Sequence, residues 1–105
     1  MNRGDVYWIN FKTPDKKRPA LIITRDSAIP YLNAVTVIPI TTTLRDNPSC
    51  VWVDEDDGLE CQSVINLDNI QTVSKQKIGD YITHLSEDIL QEVFEATKFA
   101  FGFDK

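Results

Sequence analysis

The sequence has little cysteine, little histidine and no long apolar run, and each shortage excludes a class of protein. No apolar run approaches the ~20 residues that a membrane-spanning helix needs, and no cationic region followed by an apolar one opens the chain as in a secretory signal. We therefore expect a cytoplasmic protein. Cys50, Cys61 and one histidine are too few for a zinc site, which needs about four clustered ligands. We expect no metal, no cofactor, and two buried free thiols.

Basic residues are also in short supply. The chain has 11 Lys and Arg against 16 Asp and Glu, giving a net charge of −5 and a sequence pI of about 4.7. Proteins that bind nucleic acid over a broad surface without regard to sequence are usually basic overall, so any RNA contact here must be local. The acid is concentrated at residues 54–57 and the cations gather at 16–18, 75 and 77.

At 105 residues, with 42% hydrophobic residues, the chain fits one domain with a core. Short β-rich segments bounded by turn signals recur along it, without a helix between them. They are residues 5–12, 19–24, 34–40, 49–53, 62–67 and 70–74. This pattern predicts an antiparallel, partly closed barrel rather than a parallel sheet.

The carboxyl end changes to a helical period. Ser86 is a good N-cap, Gly102 a left-handed C-terminal cap, and Glu87 and Asp88 favour the first turn. The predicted apolar face has one row at Ile89, Val93, Thr97 and Ala100, with Leu90, Phe94 and Phe101 beside it. Phe99 and Phe103 are left over as candidates for a partner surface. The single histidine, His84, precedes the helix and is expected to be structural.

Residues 16–24 join a cationic loop to a predicted strand. Lys16, Lys17 and Arg18 run into Pro19, which fits only the first position of a strand. Arg18 is therefore expected at the mouth of the core, where a rigid, permanently charged guanidinium suits phosphate. The same three cations also fit a solvated hairpin turn.

Three hydroxyls, Thr41, Thr42 and Thr43, follow the predicted strand at 34–40. By itself this pattern favours β-propensity with local bonds from the hydroxyls to the backbone. The alternative is that the hydroxyls are donors that face a ligand.

Five segments of the chain, taken together and in order, match a known pattern. They are 3–8 (RGDVYW), 18–22 (RPALI), the strand 35–41 ending in Ile-Thr, 63–65 (SVI) with Asp68 and Thr72, and 82–85 (ITHL). In this spacing the sequence resembles the MazF/PemK family of toxin endoribonucleases from bacterial toxin–antitoxin modules. The resemblance implies one toxin domain over residues 1–105, folded as a small SH3-like antiparallel β-barrel with a carboxyl-terminal helix.

The resemblance also implies a homodimer, a cognate antitoxin protein, and metal-independent, sequence-specific cleavage of single-stranded RNA. It assigns catalytic roles to Arg18 and Thr41 and, in one branch of the family, to Asp68. RNA can be cut by its own 2′-hydroxyl, so the enzyme need only orient that attack and stabilise the phosphoryl charge. Asp68 then serves either as a base or as a partner that holds Arg18. The expected supporting RNA-binding residues are Lys16, Lys17, Thr42, Thr43 and Ser63.

Two other functions fit a barrel of this size. One is a non-catalytic toxin that poisons a topoisomerase by binding it, against which the Arg18 and Thr41 pair speaks. The other is an SH3-like peptide-binding module, for which the sequence lacks an aromatic-lined groove motif.

Overall fold

The computed structural model describes residues 1–11 and 17–103. Within these residues the chain forms seven β-strands, four short 3-10 turns and one α-helix. The strands are β1 (Asp5–Asn10), β2 (Lys17–Ile22), β3 (Ala34–Thr41), β4 (Cys50–Val53), β5 (Ser63–Asn66), β6 (Gln71–Ser74) and β7 (Ile78–His84). The 3-10 turns are Ile29–Tyr31, Glu55–Asp57, Leu67–Asn69 and Lys75–Lys77, and the helix is α1 (Glu87–Ala100).

All strand pairs in the sheet are antiparallel. The strand order is β4-β5-β3-β2-β1-β7, and β6 pairs with β3 beside β5. The predicted class, antiparallel β with a carboxyl-terminal helix, is confirmed. The sheet is open, with β4 and β7 at its two ends, and this arrangement is compatible with a small SH3-like fold.

The sequence patterns predicted six of these strands and missed β7. Every residue of β7 is exposed or half-buried, because the strand lies at the edge of the sheet. The alternation that marks a strand is therefore weak. Its pairing with β1 is also irregular, with register shifts on either side of Tyr7. Gly79 lies where an added Cβ would come within 3.2 Å of the Trp8 carbonyl oxygen, which explains a glycine inside a strand.

Two prolines lie inside strands, although each removes a backbone donor. Pro19 is the third residue of β2 rather than the first as predicted, and it pairs with Trp8 on β1 while pairing with β3 begins only at Ala20. Pro39 lies on β3 between the segment paired with β6, which ends at Val37, and the segment paired with β5, which begins at Ile40. Each proline therefore falls where the ladder on one side is interrupted.

Two apolar clusters lie on opposite faces of the sheet formed by the described residues. The helix-side cluster contains Val6, Leu21, Ile38, Ile40, Val51, Val53, Leu59, Ile65, Leu67, Leu85, Val93 and Ala96. The turn-side cluster contains Ile9, Ala20, Ile22, Ile29, Val35, Val37 and Val73. Because β2 and β3 bury both faces, they read as nearly continuous apolar runs. Alternate residues of these strands therefore face different surroundings.

Helix α1 begins and ends as its sequence predicts. The Ser86 hydroxyl accepts a bond from the Ile89 N–H at 3.3 Å, and Gly102 has a φ of +75°. Val93 and Ala96 are buried in the helix-side cluster. Phe94 and Phe101, expected on the apolar face, are instead 55% and 54% exposed. The buried face of the helix is therefore narrower than the apolar face that the sequence predicts. The exposed Phe94 ring has a cation beside it, since the Lys98 ammonium lies 4.9 Å from the centre of the ring.

Both cysteines are free thiols, but the expectation that they are buried is wrong. Cys50 is half-buried and Cys61 is exposed. No helix in the described part of the chain has the length and apolar character needed to cross a membrane.

Candidate functional site

Arg18 and Thr41 lie next to each other at the ends of two paired strands. On β2 and β3, Ala20 pairs with Pro39 and Leu21 with Ile38, so the same register continued toward the strand ends places Arg18 opposite Thr41. Directly opposite residues on one face have Cβ atoms about 5 Å apart. Both side chains therefore lie on the same face, beyond the last apolar residues of the turn-side cluster.

These two residues line one surface pocket, which we call the strand-end pocket. Its lining residues are Phe11, Arg18, Pro39, Thr41, Thr43, Arg45, Asn66, Asn69 and Gln71. They supply two guanidinium groups, two hydroxyls and three carboxamides, and no described lining residue carries a carboxylate. In a protein with a net charge of −5, this is a local positive site rich in hydrogen-bond donors.

The Thr41 hydroxyl is oriented by its own turn. Its Oγ1 accepts a bond from the Thr43 N–H at 3.1 Å, so the hydroxyl proton is left to donate elsewhere. Thr41 is half-buried at the end of β3. A ligand oxygen in the pocket would therefore meet a donor that the backbone already holds in place.

Arg18 is exposed and its base is held on both sides by the sheet. It pairs with Ile9 on β1 and faces the β3 end described above. Among residues 1–11 and 17–103, no carboxylate lies within ion-pair distance of its guanidinium. Its charge is therefore available to an anion rather than neutralised by a described neighbour.

Asp68 lies on the Leu67–Asn69 turn, between two residues that line the pocket. It is exposed, its Oδ2 accepts a bond from the Ser49 hydroxyl at 2.7 Å, and its backbone N–H donates to Asn66 Oδ1 at 3.0 Å. Ser49 is buried, and its hydroxyl also contacts Asn47 Oδ1, so its one proton is shared between two acceptor oxygens. Asp68 does not itself line the strand-end pocket and forms no ion pair with Arg18 in the described structure.

The other predicted site residues are divided between surfaces. Thr43 lines the strand-end pocket. Thr42 lies just past the end of β3. Together with Ser63 it lines a separate, mainly apolar pocket with Trp8, Pro19, Ile40, Leu59, Glu60, Cys61 and Ile82. The Ser63 hydroxyl donates to the Cys61 carbonyl at 3.0 Å. Lys17 lines a third pocket with Trp8 and Asp80, and Lys16 lies outside the described residues.

A polar cluster at the other end of β1 contains His84, which the sequence predicted to be structural. The buried Asp5 carboxylate lies 2.8 Å from His84 Nδ1 through one oxygen and accepts the Asn2 N–H at 2.8 Å through the other. Burial raises the pKa of the nearby Tyr7 hydroxyl, with smaller contributions from Asp5 and Tyr81.

In the described part of the chain, no three His, Cys, Asp or Glu side chains are grouped as a metal site would require.

Sequence reasoning missed four polar residues of the strand-end pocket: Arg45, Asn66, Asn69 and Gln71. Arg45 sits in a segment that reads only as a turn. Asn66 and Gln71 are polar residues near the ends of predicted strands, and this is the one feature of the sequence that could have identified them. In the structure Asn66 pairs with Cys50 and Gln71 with Val37. The register that brings them to Arg18 is not visible in the sequence.

The chain matches known proteins along most of its length. The family model described as "PemK-like, MazF-like toxin of type II toxin-antitoxin system" matches residues 2–101. Endoribonuclease MazF3 of Mycobacterium tuberculosis is 42% identical over 90 residues, covering 86% of this chain and 87% of that protein.

Two solved structures are similar over nearly the whole chain. The toxin MazF-mt6 of Mycobacterium tuberculosis has a TM-score of 0.88 and 38% identity, covering 96% of this chain and 99% of that one. An endoribonuclease in complex with its cognate antitoxin, from a mycobacterial species, has a TM-score of 0.88 and 27% identity, covering 100% of this chain and 98% of that one. With the sequence match spanning residues 2–101, this chain belongs to the family of PemK-like, MazF-like toxins of type II toxin–antitoxin systems.

Proposed function

We propose that this protein is a toxin that cuts single-stranded RNA at specific sequences without a metal ion, acting as an mRNA interferase. The strand-end pocket carries the proposal, because two cations, two hydroxyls and three amides line it. The relative named Endoribonuclease MazF3 supports RNA as the substrate. An acidic protein can bind an anionic polymer such as RNA when the contact is confined to a local positive site.

In the proposed reaction, the RNA supplies its own nucleophile. The 2′-oxygen attacks the adjacent phosphorus, the bond from phosphorus to the 5′-oxygen breaks, and the products are a 2′,3′-cyclic phosphate and a 5′-hydroxyl. Negative charge on the non-bridging oxygens rises during this step. Arg18 stabilises that charge, Arg45 adds a second cation, and the Thr41 hydroxyl donates to one oxygen.

The 2′-hydroxyl must lose a proton, and we assign this step to Asp68. Asp68 lies between Asn66 and Asn69, which both line the pocket. Its Oδ2 lies 2.7 Å from the Ser49 hydroxyl, whereas its Oδ1 accepts no bond from any described residue and is left to take the proton. A base oriented by a second group is a common catalytic arrangement. The leaving 5′-oxygen takes a proton from water, and the hydroxide that this produces takes the proton from Asp68, which restores the carboxylate.

Purified protein incubated with a long single-stranded RNA in EDTA tests this proposal. We expect cleavage at a small set of sequences, unchanged by added Mg²⁺. Loss of all cutting in EDTA, restored by Mg²⁺, would contradict metal independence. Intact RNA under both conditions would contradict the activity itself.

The proposed partners are a second copy of the chain, a cognate antitoxin and single-stranded RNA, all met in the cytoplasm. A mycobacterial neighbour was solved with its antitoxin. Phe99, Phe101 and Phe103 at the end of α1 are 45%, 54% and 73% exposed, a density of aromatic surface that favours an interface. Light scattering at micromolar concentration should give the mass of a homodimer, and a monomer mass would contradict this assignment.

A further inference from the structure

Three carboxamides, from Asn66, Asn69 and Gln71, line the strand-end pocket beside the phosphate-binding cations. Asparagine and glutamine side chains carry no charge and add little to phosphate affinity, but each offers a donor and an acceptor for the edge of a base. Sequence-specific RNA-binding proteins usually read unpaired bases in this way. The amides therefore bear on which base is bound, and this reasoning rests on the proposed function.

Local hydrogen bonds decide which amide groups face a ligand. Asn66 Oδ1 already accepts the Asp68 N–H at 3.0 Å, and since a backbone N–H can only donate, the orientation of this amide is fixed with its NH₂ group free. Gln71 Nε2 donates to Asn69 Oδ1 at 3.4 Å, which leaves the Asn69 NH₂ and the Gln71 carbonyl for a ligand. If both of these amides were turned over, the pair would still present one NH₂ and one carbonyl.

The pocket thus offers two amide donors and one amide acceptor. A pyrimidine presents the complementary set on its Watson–Crick edge: uracil has O2, O4 and N3–H, and cytosine has O2, N3 and the N4 amino group. Guanine presents the opposite set on that edge, one acceptor and two donors, and adenine presents only one of each. A pyrimidine alone satisfies all three amides through a single edge.

An apolar surface for the base is also present. Phe11 and Pro39 line the same pocket, and Phe11 packs against the turn-side cluster. Stacking on an aromatic ring stabilises any unpaired base and does not discriminate between sequences. Selectivity is therefore left to the amides.

We infer that the strand-end pocket binds a pyrimidine next to the scissile phosphate and reads it through Asn66, Asn69 and Gln71. The Watson–Crick edge of guanine is rejected because its donors would meet the amide donors. Its Hoogsteen edge offers two acceptors, O6 and N7, and no donor, which leaves the amide acceptor without a partner. A mismatch of this kind costs about tenfold or more in recognition.

Oligonucleotides that differ only in the base beside the scissile bond test this inference. Each is made in two forms, one all-RNA for cleavage and one with a single 2′-deoxy nucleotide that cannot be cut, for binding by fluorescence anisotropy. We expect cytosine and uracil to be bound and cut about tenfold better than guanine. Gln71→Ala and Asn69→Ala should each narrow that ratio severalfold, whereas Gln76→Ala, an exposed amide outside the pocket, should leave it unchanged.

Asn69→Asp gives a sharper result because it replaces the NH₂ donor by an acceptor. All RNA should bind more weakly through the added negative charge, but the ratio of guanine to cytosine should rise. Thermal unfolding checks that each variant is folded. A guanine preference in the wild type, or an unchanged base ratio in the Asn69 and Gln71 variants, would overturn the inference. A pyrimidine preference in binding without any cleavage would instead overturn the proposed function and leave this inference standing.

Discussion

Replacing Arg18 with alanine should lower RNA cleavage about a hundredfold without unfolding the protein. A unit charge about 4 Å from a second one contributes about 4 kcal/mol at an effective dielectric constant near 20. Because Arg18 is exposed, solvent and salt screen part of this, which leaves about 3 kcal/mol, or roughly a hundredfold in rate. Stability should change by only about 0.5 kcal/mol, since an exposed side chain with no described ion pair is removed.

Single-turnover cleavage of a short RNA, together with a thermal melt, measures both effects. Arg18→Lys keeps the charge but loses the rigid fork of donors, so we expect activity between those of the wild type and Arg18→Ala. Lys77→Ala removes an exposed cation outside the strand-end pocket and should cut RNA within about twofold of the wild type. Cleavage by Arg18→Ala within threefold of wild type would refute the role of this cation in the reaction. A melting temperature many degrees lower would show that Arg18 is structural.

Three further changes have defined outcomes. Thr41→Val should reduce the cleavage rate by about a hundredfold, since it removes a preorganised donor, while Thr41→Ser should retain most activity; equal rates in both would count against the hydroxyl. Asp68→Asn should reduce the cleavage rate by at least about a hundredfold, as expected for loss of a base. Ser49→Ala should reduce the rate by less. A smaller loss for Asp68→Asn than for Ser49→Ala would show that the carboxylate only positions the turn. Stability should fall as pH rises above about 10, because the raised pKa of Tyr7 keeps it protonated in the folded protein while the unfolded chain ionises. Urea unfolding at pH 9 to 11 should show a shallower decline for Tyr7→Phe than for a Tyr31→Phe control, and identical declines would contradict the shift.

The sequence predicted the elements of the fold better than their pairing. Caps and apolar period are local properties, so the ends of α1 followed from Ser86 and Gly102. The edge strand β7 was missed because none of its residues is buried, so its sequence carries little of the alternation that marks a strand. The exposure of Phe94 and Phe101 was missed because the width of the buried helix face is set by the sheet that the helix covers.

The candidate site shows a similar division. Arg18 and Thr41 were both chosen from strand-end motifs, and they do lie side by side. Thr42 was grouped with Thr41 because the two are adjacent in sequence, yet Thr42 lies past the end of β3 and lines a different pocket. Arg45 and the three amides enter the pocket from a turn and from strand ends, and their approach depends on the register between β3, β5 and β6.

A single 2′-deoxy substitution in the RNA tests the proposed reaction most directly. Two oligonucleotides with the same cleavage site, one of them lacking only the 2′-hydroxyl before the scissile bond, are incubated with the protein in EDTA, and the products are identified by mass spectrometry. If the RNA attacks itself in the strand-end pocket, the intact RNA will give a 2′,3′-cyclic phosphate and a 5′-hydroxyl, and the substituted one will remain uncut. Cleavage of the 2′-deoxy oligonucleotide, or a 5′-phosphate product, would show that water attacks instead and would contradict the mechanism.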